Sequence, residues 1–452
     1  MPSRRASKPC PAWSSSVATC PALLIAAPAS GQGKTSIVAG LARLYSRQGK
    51  RVRIFKCGPD FLDPLIHAAA SGAPCENLDL WMCGEEDAAW RLARAAETAD
   101  VILVEGVMGL FDGAPSAADI SRRFNLPVLA VIDASAMAQT FGALAQGLAH
   151  YQPGLPFYGV LANRVASPGH AEMLEESVSP GIRWCGTVPR DAEASLPERH
   201  LGLHQAVEID DLMARLDRMA DHLEKTPMAE LLSKISTHAA VSPEPNFPTV
   251  PPLLKNKTIA IAHDVAFCFL YPANLELLAE LGAKLKFFSP IAGERLPACD
   301  ALWLPGGYPE LHATTLSRHH EFFAQLATHV AANKPILAEC GGMMTLFDTL
   351  TDTRGAMHPM AALLPGRIVM QPHLTALGGQ EAALPEGTLR GHTFHYSKAE
   401  TSLEPLTYAR RQRPLGNKTQ GEAIYRRSRL TASYVHFYFP SNPAVAAALF
   451  LP

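Results

Sequence analysis

Two short stretches place reactive groups where buried strands should end. The run Ser30-Gly31-Gln32-Gly33-Lys34-Thr35 lies between ALLIAAP and a segment that carries Ile37, Leu41 and Leu44 on one helical face. In that context a glycine-rich turn aims backbone N–H groups and a helix N-terminus at phosphate oxygens. Lys34 would bridge the β- and γ-phosphates of a nucleotide, and the Thr35 hydroxyl would ligate Mg2+. Ser30, Gly31 and Gly33 would line the phosphates. One departure is visible: Pro28 stands where GxxxxGK[ST] has its first glycine.

The second stretch, Ile336-Leu337-Ala338-Glu339-Cys340-Gly341-Gly342, sets a thiol at the sharp exit of an apolar strand, with a helix predicted over MMTLFDTL. Such an elbow exposes sulfur, and the helix N-terminus is expected to lower the thiol pKa from about 8.5 into the range of about 3.5 to 7.5. Leu304-Pro305-Gly306-Gly307-Tyr308 also closes a strand, and its backbone N–H groups, with that of Gly341, can face a tetrahedral oxyanion. His436, in SYVHFYF, is a candidate general base for the thiol.

Further polar groups fall at strand ends, where α/β sheets meet their ligands. Lys56 closes RVRIFKCG and is followed by Asp60 and Asp63; Glu105 closes VILVEG, with Asp112 soon after. Glu105 and Asp112 are candidate carboxylates for Mg2+. An acidic residue at a strand end also serves as a helix cap or a solvated turn, but four of them beside a phosphate loop favour a site. Asn163, after VLA, suits a contact to the adenine amide and equally suits a turn.

The elements that must hold these groups follow a βαβ rhythm: ALLIAAP, RVRIFKCG, VILVEG, VLAVIDA, FYGVLANRV and RWCGTVPR, separated by amphipathic segments. Pro243, Pro245, Pro248, Pro251 and Pro252 interrupt it. TIAIAHD, KLKFFSP, ALWLPGG, PILAEC and ASYVHFYF then restart it. The expected architecture is α/β: a mostly parallel sheet with helices on both faces at 21–240, a linker at 241–256 and a second α/β domain at 257–452. Length agrees, since 452 residues at about 150 per domain give two to three domains.

Residues 1–20 are expected to be a disordered extension. Their basic residues and the run Leu23 to Ala27 imitate a signal peptide, but the run is too short and leads straight into the phosphate loop. With 40 Lys+Arg against 42 Asp+Glu, charge makes no case for nucleic acid or an anionic membrane. No apolar run approaches the ~18 residues of a membrane span. Nine cysteines, never within four residues of one another, form no CxxC pair and fit a reducing cytoplasm.

PGGYPE, AECGG and SYVHFYFPSNP together resemble a class I, triad-type glutamine amidotransferase domain. With GHTFHYS at 391–397 and GPDFLDP at 58–64, residues 22–445 resemble the cobyrinate and hydrogenobyrinate a,c-diamide synthase family. The N-terminal half alone resembles dethiobiotin synthetase. The resemblance implies Cys340 as nucleophile, His436 as base, Gly306 and Gly307 as the oxyanion turn, and Asp60 and Asp63 as substrate-loop residues. It implies a ligase that amidates the a and c acetates of a corrin acid in cobalamin biosynthesis. Its small-molecule partners would be the corrin acid, glutamine and ATP, and it would act as a monomer or homodimer. Triad enzymes place Glu two residues after the histidine; here Tyr438 stands there, leaving the third member unassigned. Related readings are cobyric acid synthase, a nickel-tetrapyrrole diamide synthase, or a phosphate-loop switch with an inactive glutaminase-like lobe. Partitioning-type switches carry a lysine five residues before the loop lysine, where this chain has Ala29.

Overall fold

The computed structural model describes residues 19–199, 202–203, 205–230, 250–415 and 418–452. Most of the extension expected at 1–20 and of the linker expected at 241–256 lies outside them. The first sheet is wholly parallel. It comprises β1 (Ala22–Ala26), β2 (Val52–Cys57), β3 (Glu76–Leu78), β4 (Val101–Glu105), β5 (Val128–Asp133), β6 (Phe157–Val165) and β7 (Trp184–Pro189). Their order is β3-β2-β4-β1-β5-β6-β7. Helices α1 (Lys34–Arg47), α2 (Leu62–Ser71) and α3 (Glu85–Thr98) follow the first three strands.

Strand side chains alternate between two buried cores. Leu24, Val104 and Ala130 enter one, while Leu23, Ile25, Leu103 and Leu129 enter the other with Ile37, Leu41 and Leu44 of α1. Burial on both faces explains why these strands read as unbroken apolar runs. The register brings the strand ends into line. Glu105 pairs with Ile25 on one side and Lys56 on the other, Lys56 pairs with Asn77, and Asp133 pairs with Asn163.

The second domain has a ten-stranded mixed sheet. Its parallel part runs through Lys284–Phe288, Thr258–Ala262, Ala301–Leu304, Ile336–Glu339 and Leu430–Ser433. Lys418–Arg427, Thr407–Leu415, Ala376–Leu384, Gly387–His395 and His436–Tyr438 continue it antiparallel. ASYVHFYF is thus two strands: the chain leaves Ile336–Glu339 at Ser433 and joins Gly387–His395 at His436. The helix expected over MMTLFDTL is also corrected. Only Gly341–Met344 is helical, whereas Phe347–Thr351 is a strand in a four-stranded sheet. Phe347 and Leu350 bury there with Leu364 and Ile368 of the paired strand, so cross-strand packing outweighs local helix preference.

The domains meet across a polar network and an aromatic cluster. Arg91 of α3 bonds Asp87, Glu76, Glu276 and Tyr438, and Arg94 Nη2 donates to Glu276 Oε2 at 2.9 Å. Phe61, Phe269, Tyr271, Tyr308 and Tyr438 form one buried cluster beside it.

Candidate active sites

The phosphate-loop strand, β2 and β4 end on a cleft of about 820 Å³. Ser30, Gly31, Gly33, Lys34, Thr35, Lys56, Asp60, Asp63, Glu105 and Asn163 all line it. Gly33 has φ +88°, and a Cβ there would sit 2.3 Å from Asn163 Nδ2, so only glycine permits this turn. Asn163 Nδ2 donates to Gln32 O at 2.9 Å, bracing the loop from β6. Lys34 Nζ donates to the carbonyls of Ala29 at 3.1 Å and Met108 at 2.7 Å, which aims the loop lysine across the cleft mouth. Burial lowers its pKa, opposed by the nearby Glu105 carboxylate.

Glu105 is the centre of the cleft floor. Its Oε1 accepts from Thr35 Oγ1 at 2.9 Å and Lys56 Nζ at 2.9 Å, and its Oε2 meets His67 Nε2. Lys56 also donates to Asp63 Oδ2 at 2.6 Å. Burial alone would lower Lys56, yet Asp63 and Glu105 hold it well above its ordinary value, so it stays a cation. The same cation, with His67, holds Glu105 ionised against its burial. Asp60 Oδ1 accepts from Leu62 N at 2.8 Å and Asp63 N at 3.3 Å, fixing the entry to α2. Asn77 on β3 holds the carbonyls of Gly58 and Asp60.

Asp112 is not brought into this group. Its Oδ2 accepts from Gly109 N at 2.8 Å, closing its own turn, and it does not line the cleft. The described residues gather no cage of three or more His, Cys, Asp or Glu. Thr35 and Glu105, adjacent at the cleft floor, suit Mg2+, which takes one or two protein oxygens when phosphates supply others. His67 and Asn77 escaped the sequence reading. His67 had a signal, because it lies four residues after Asp63 on the same face of α2.

Cys340 stands at φ 44°, a strained elbow after the strand Ile336–Glu339, and its N–H donates to Ser433 O at 2.7 Å. A methyl on Gly341 would lie 3.0 Å from Gly307 N, so the two glycine turns meet beside the thiol. Cys340, Gly307, Tyr308, Glu310 and His395 line a small cavity of about 40 Å³. The expected lowering of the thiol pKa is overturned. Burial pushes Cys340 up, helped by Glu310, and the following helix is a single turn, too short to offset it.

His436 lies behind Gly306, where a Cβ would come 2.2 Å from its Cε1. It does not line the small cavity, and neither ring nitrogen has a hydrogen-bond partner among the described residues. Its ring stacks on His392 at 5.0 Å and lies 5.0 Å from Phe61. Burial, with His392 and His395 nearby, keeps His436 well below the usual imidazole range and therefore neutral. His392 Nδ1 is bonded to Tyr271 Oη at 2.8 Å. Glu339 accepts from Trp303 Nε1 at 3.0 Å and from Phe437 N at 2.8 Å, tying the nucleophile's strand to that of His436.

A family model described as the CobQ/CobB/MinD/ParA nucleotide binding domain matches residues 23–203. One described as the CobB/CobQ-like glutamine amidotransferase domain matches 258–444. The hydrogenobyrinate a,c-diamide synthase of Stutzerimonas stutzeri is 59% identical over 96% of this chain and 99% of its own length. That of Pseudomonas aeruginosa is 58% identical over 96% and 98%. The cobyrinate a,c-diamide synthase of Herminiimonas arsenicoxydans is 48% identical over 95% and 96%.

Proposed function

The chain belongs to the hydrogenobyrinate and cobyrinate a,c-diamide synthase family, and from that premise we propose how its two sites divide the reaction. The protein is an ATP- and glutamine-dependent ligase that amidates the a and c carboxylates of a corrin acid in cobalamin biosynthesis. A carboxylate resists ammonia because its leaving group would be oxide. ATP converts it to an acyl phosphate, from which inorganic phosphate departs.

In the cleft, the carboxylate oxygen attacks the γ-phosphorus and ADP leaves. Lys34 and Lys56 stabilise the charge on the transferred group, as fixed cations in a water-poor floor. Thr35 and Glu105 would hold Mg2+, which when bound supplies further positive charge against the phosphates. Asp60 and Asp63 shape the loop that presents the acid. In the second domain, Cys340 attacks the glutamine side-chain carbonyl, the N–H groups of Gly307 and Gly341 face the oxyanion of the tetrahedral adduct, and its C–N bond breaks to release ammonia and leave the thioester. His436 takes the thiol proton and returns it to the leaving nitrogen. Water then frees glutamate. Ammonia attacks the acyl phosphate carbon, a C–N bond forms, and the C–O bond to phosphate breaks.

The observation that carries this division is the paired set of sites on one interface, with Phe61 of the Asp60–Asp63 loop beside His436. Both sites belong to one chain, so a monomer suffices. The eight described cysteines are free thiols and suit the cytoplasm. Two relatives at 59% and 58% identity carry the hydrogenobyrinate name, and on that likeness the cobalt-free acid is taken as substrate. Incubation with Mg-ATP, glutamine and each acid, followed by mass spectrometry, tests the reading. The expected result is faster diamide formation from hydrogenobyrinate; absence of amide from both acids would refute it.

A further inference from the structure

A third pocket is linked to the two sites through its wall residues: it shares Asp60 with the ATP cleft, and its Phe61 meets a ring of the Cys340 cavity. The cavity beside Cys340 is walled by Phe269. Phe269 stacks face to face on Phe61, with ring centroids 4.9 Å apart and planes 5° apart. Phe61 in turn walls a pocket of about 420 Å³ between α2 and the Leu270–Pro272 segment. Asp60 lines that pocket and also the ATP cleft. The two stacked rings thus come from different domains and stand where the glutaminase cavity adjoins the space leading to the cleft.

We propose that the Phe61–Phe269 stack is a gate through which ammonia passes from Cys340 to the acyl phosphate, an inference that rests on the function proposed above. The chemistry of the walls suits neutral ammonia. Phe61, Pro64, Leu65, Ala68 and Pro74 make the intermediate pocket apolar. An ammonium ion would lose its hydration against these apolar walls, whereas neutral NH3 sheds its water at much lower cost. The gate is also mechanically tied to the acceptor site. Phe61 is flanked by Asp60, whose carboxylate caps the start of α2, and by Leu62 and Asp63, whose amides that carboxylate holds. An acid seated against Asp60 and Asp63 shifts this turn, and the ring of Phe61 moves with it. On the other side the ring touches Tyr271, His392 and His436, so its position is registered directly beside the glutaminase base.

The test uses the full chain with Phe61→Ala and, separately, Phe269→Ala, which alters the gate from the glutaminase side. With Mg-ATP, glutamine and hydrogenobyrinate, glutamate and amide are both quantified. The wild type should release one glutamate per amide formed. Each alanine variant should release severalfold more glutamate than amide, because ammonia escapes, and in Phe269→Ala, which leaves the substrate loop intact, amidation with high free ammonium continues at near the wild-type rate. Phe269→Trp should slow glutamine-dependent amidation and leave the ammonium-dependent reaction intact. Unchanged one-to-one stoichiometry in Phe269→Ala would overturn the gate, even if Phe61→Ala failed to fold. Failure of the wild type to amidate with free ammonium would instead overturn the function on which the gate rests.

Discussion

The phenol of Tyr438 donates to Asp87 Oδ2 at 2.5 Å, linking the strand that carries His436 to helix α3 of the other domain. Arg91 Nε donates to the same phenol at 3.0 Å and to Asp87 Oδ2 at 2.9 Å, so the three groups close a buried triangle. In triad amidotransferases this position holds the acid that orients the histidine. Here it joins the two domains instead. Arg91 also reaches Glu76 on β3, beside Asn77, which holds the Asp60 carbonyl. The strand of the glutaminase base is thereby tied to the substrate loop of the ATP cleft.

Tyr438→Phe removes the phenol's two buried hydrogen bonds, to Asp87 and from Arg91, but leaves Arg91 and Asp87 paired. It should destabilise the protein by about 1.5–3 kcal/mol. Arg91→Ala should cost more, about 3–5 kcal/mol, because Asp87 remains buried without its cation and Glu76 keeps only Arg94, at 3.6 Å. Denaturant midpoints measure both. Equal midpoints for the wild type and Arg91→Ala would show that the network contributes nothing to domain docking.

Much of this arrangement was legible in the residues. The parallel strands of the first sheet, apart from the short Glu76–Leu78, announced themselves as apolar runs, and the phosphate loop, Lys56 and Glu105 fell at their ends, where strand register then aligned them. Strands between residues 370 and 430 were not legible. Ala376–Leu384 and Thr407–Leu415 carry glycine, arginine and glutamine among few apolar residues, and pairing with neighbours rather than local pattern makes them strands. Nor did spacing reveal that Tyr438 serves the interface, since its partners lie 351 and 347 residues away in sequence. Cys340 was found from its turn, but its pKa was misjudged because burial is a property of the packed fold and not of the motif.

Cys340→Ala and Lys34→Ala should separate the two half-reactions. Loss of the thiol removes only the nitrogen source, so glutamine-dependent amidation should vanish while amidation with high ammonium persists. Loss of the Lys34 cation from the cleft should depress amidation from both nitrogen sources by about 100-fold or more. Initial rates with each donor measure this. Parallel loss of both activities in Cys340→Ala would refute the separation.

Gly33→Ala should act on nucleotide use alone. The position has φ +88°, which costs an alanine about 1–2 kcal/mol, and the added methyl would strike Asn163 Nδ2. Asn163 then loses its bond to Gln32 O, and the loop shifts from its phosphate-binding shape. The KM for ATP should rise severalfold. Glutamate release from glutamine without ATP should be unchanged, and a matching loss there would place the effect on folding instead.

The pH dependence of stability should carry a signature of Glu339. Burial raises this carboxyl from its ordinary 4.5 to about 8. Between those values the folded chain keeps a proton that the unfolded chain releases, so the folded state binds more protons. Stability is therefore fully present below about pH 4.5 and falls as pH rises through about 8. Glu339→Gln removes the titration. It also places an amide N–H2 against one of the two N–H donors, Trp303 Nε1 or Phe437 N, at a cost of about 1–3 kcal/mol. The variant should thus be less stable than the wild type near pH 5, and the gap should narrow towards about pH 9. Denaturation midpoints at both ends of that range measure it. A gap that stays constant would mean that Glu339 holds its charge throughout and that its two donors outweigh its burial.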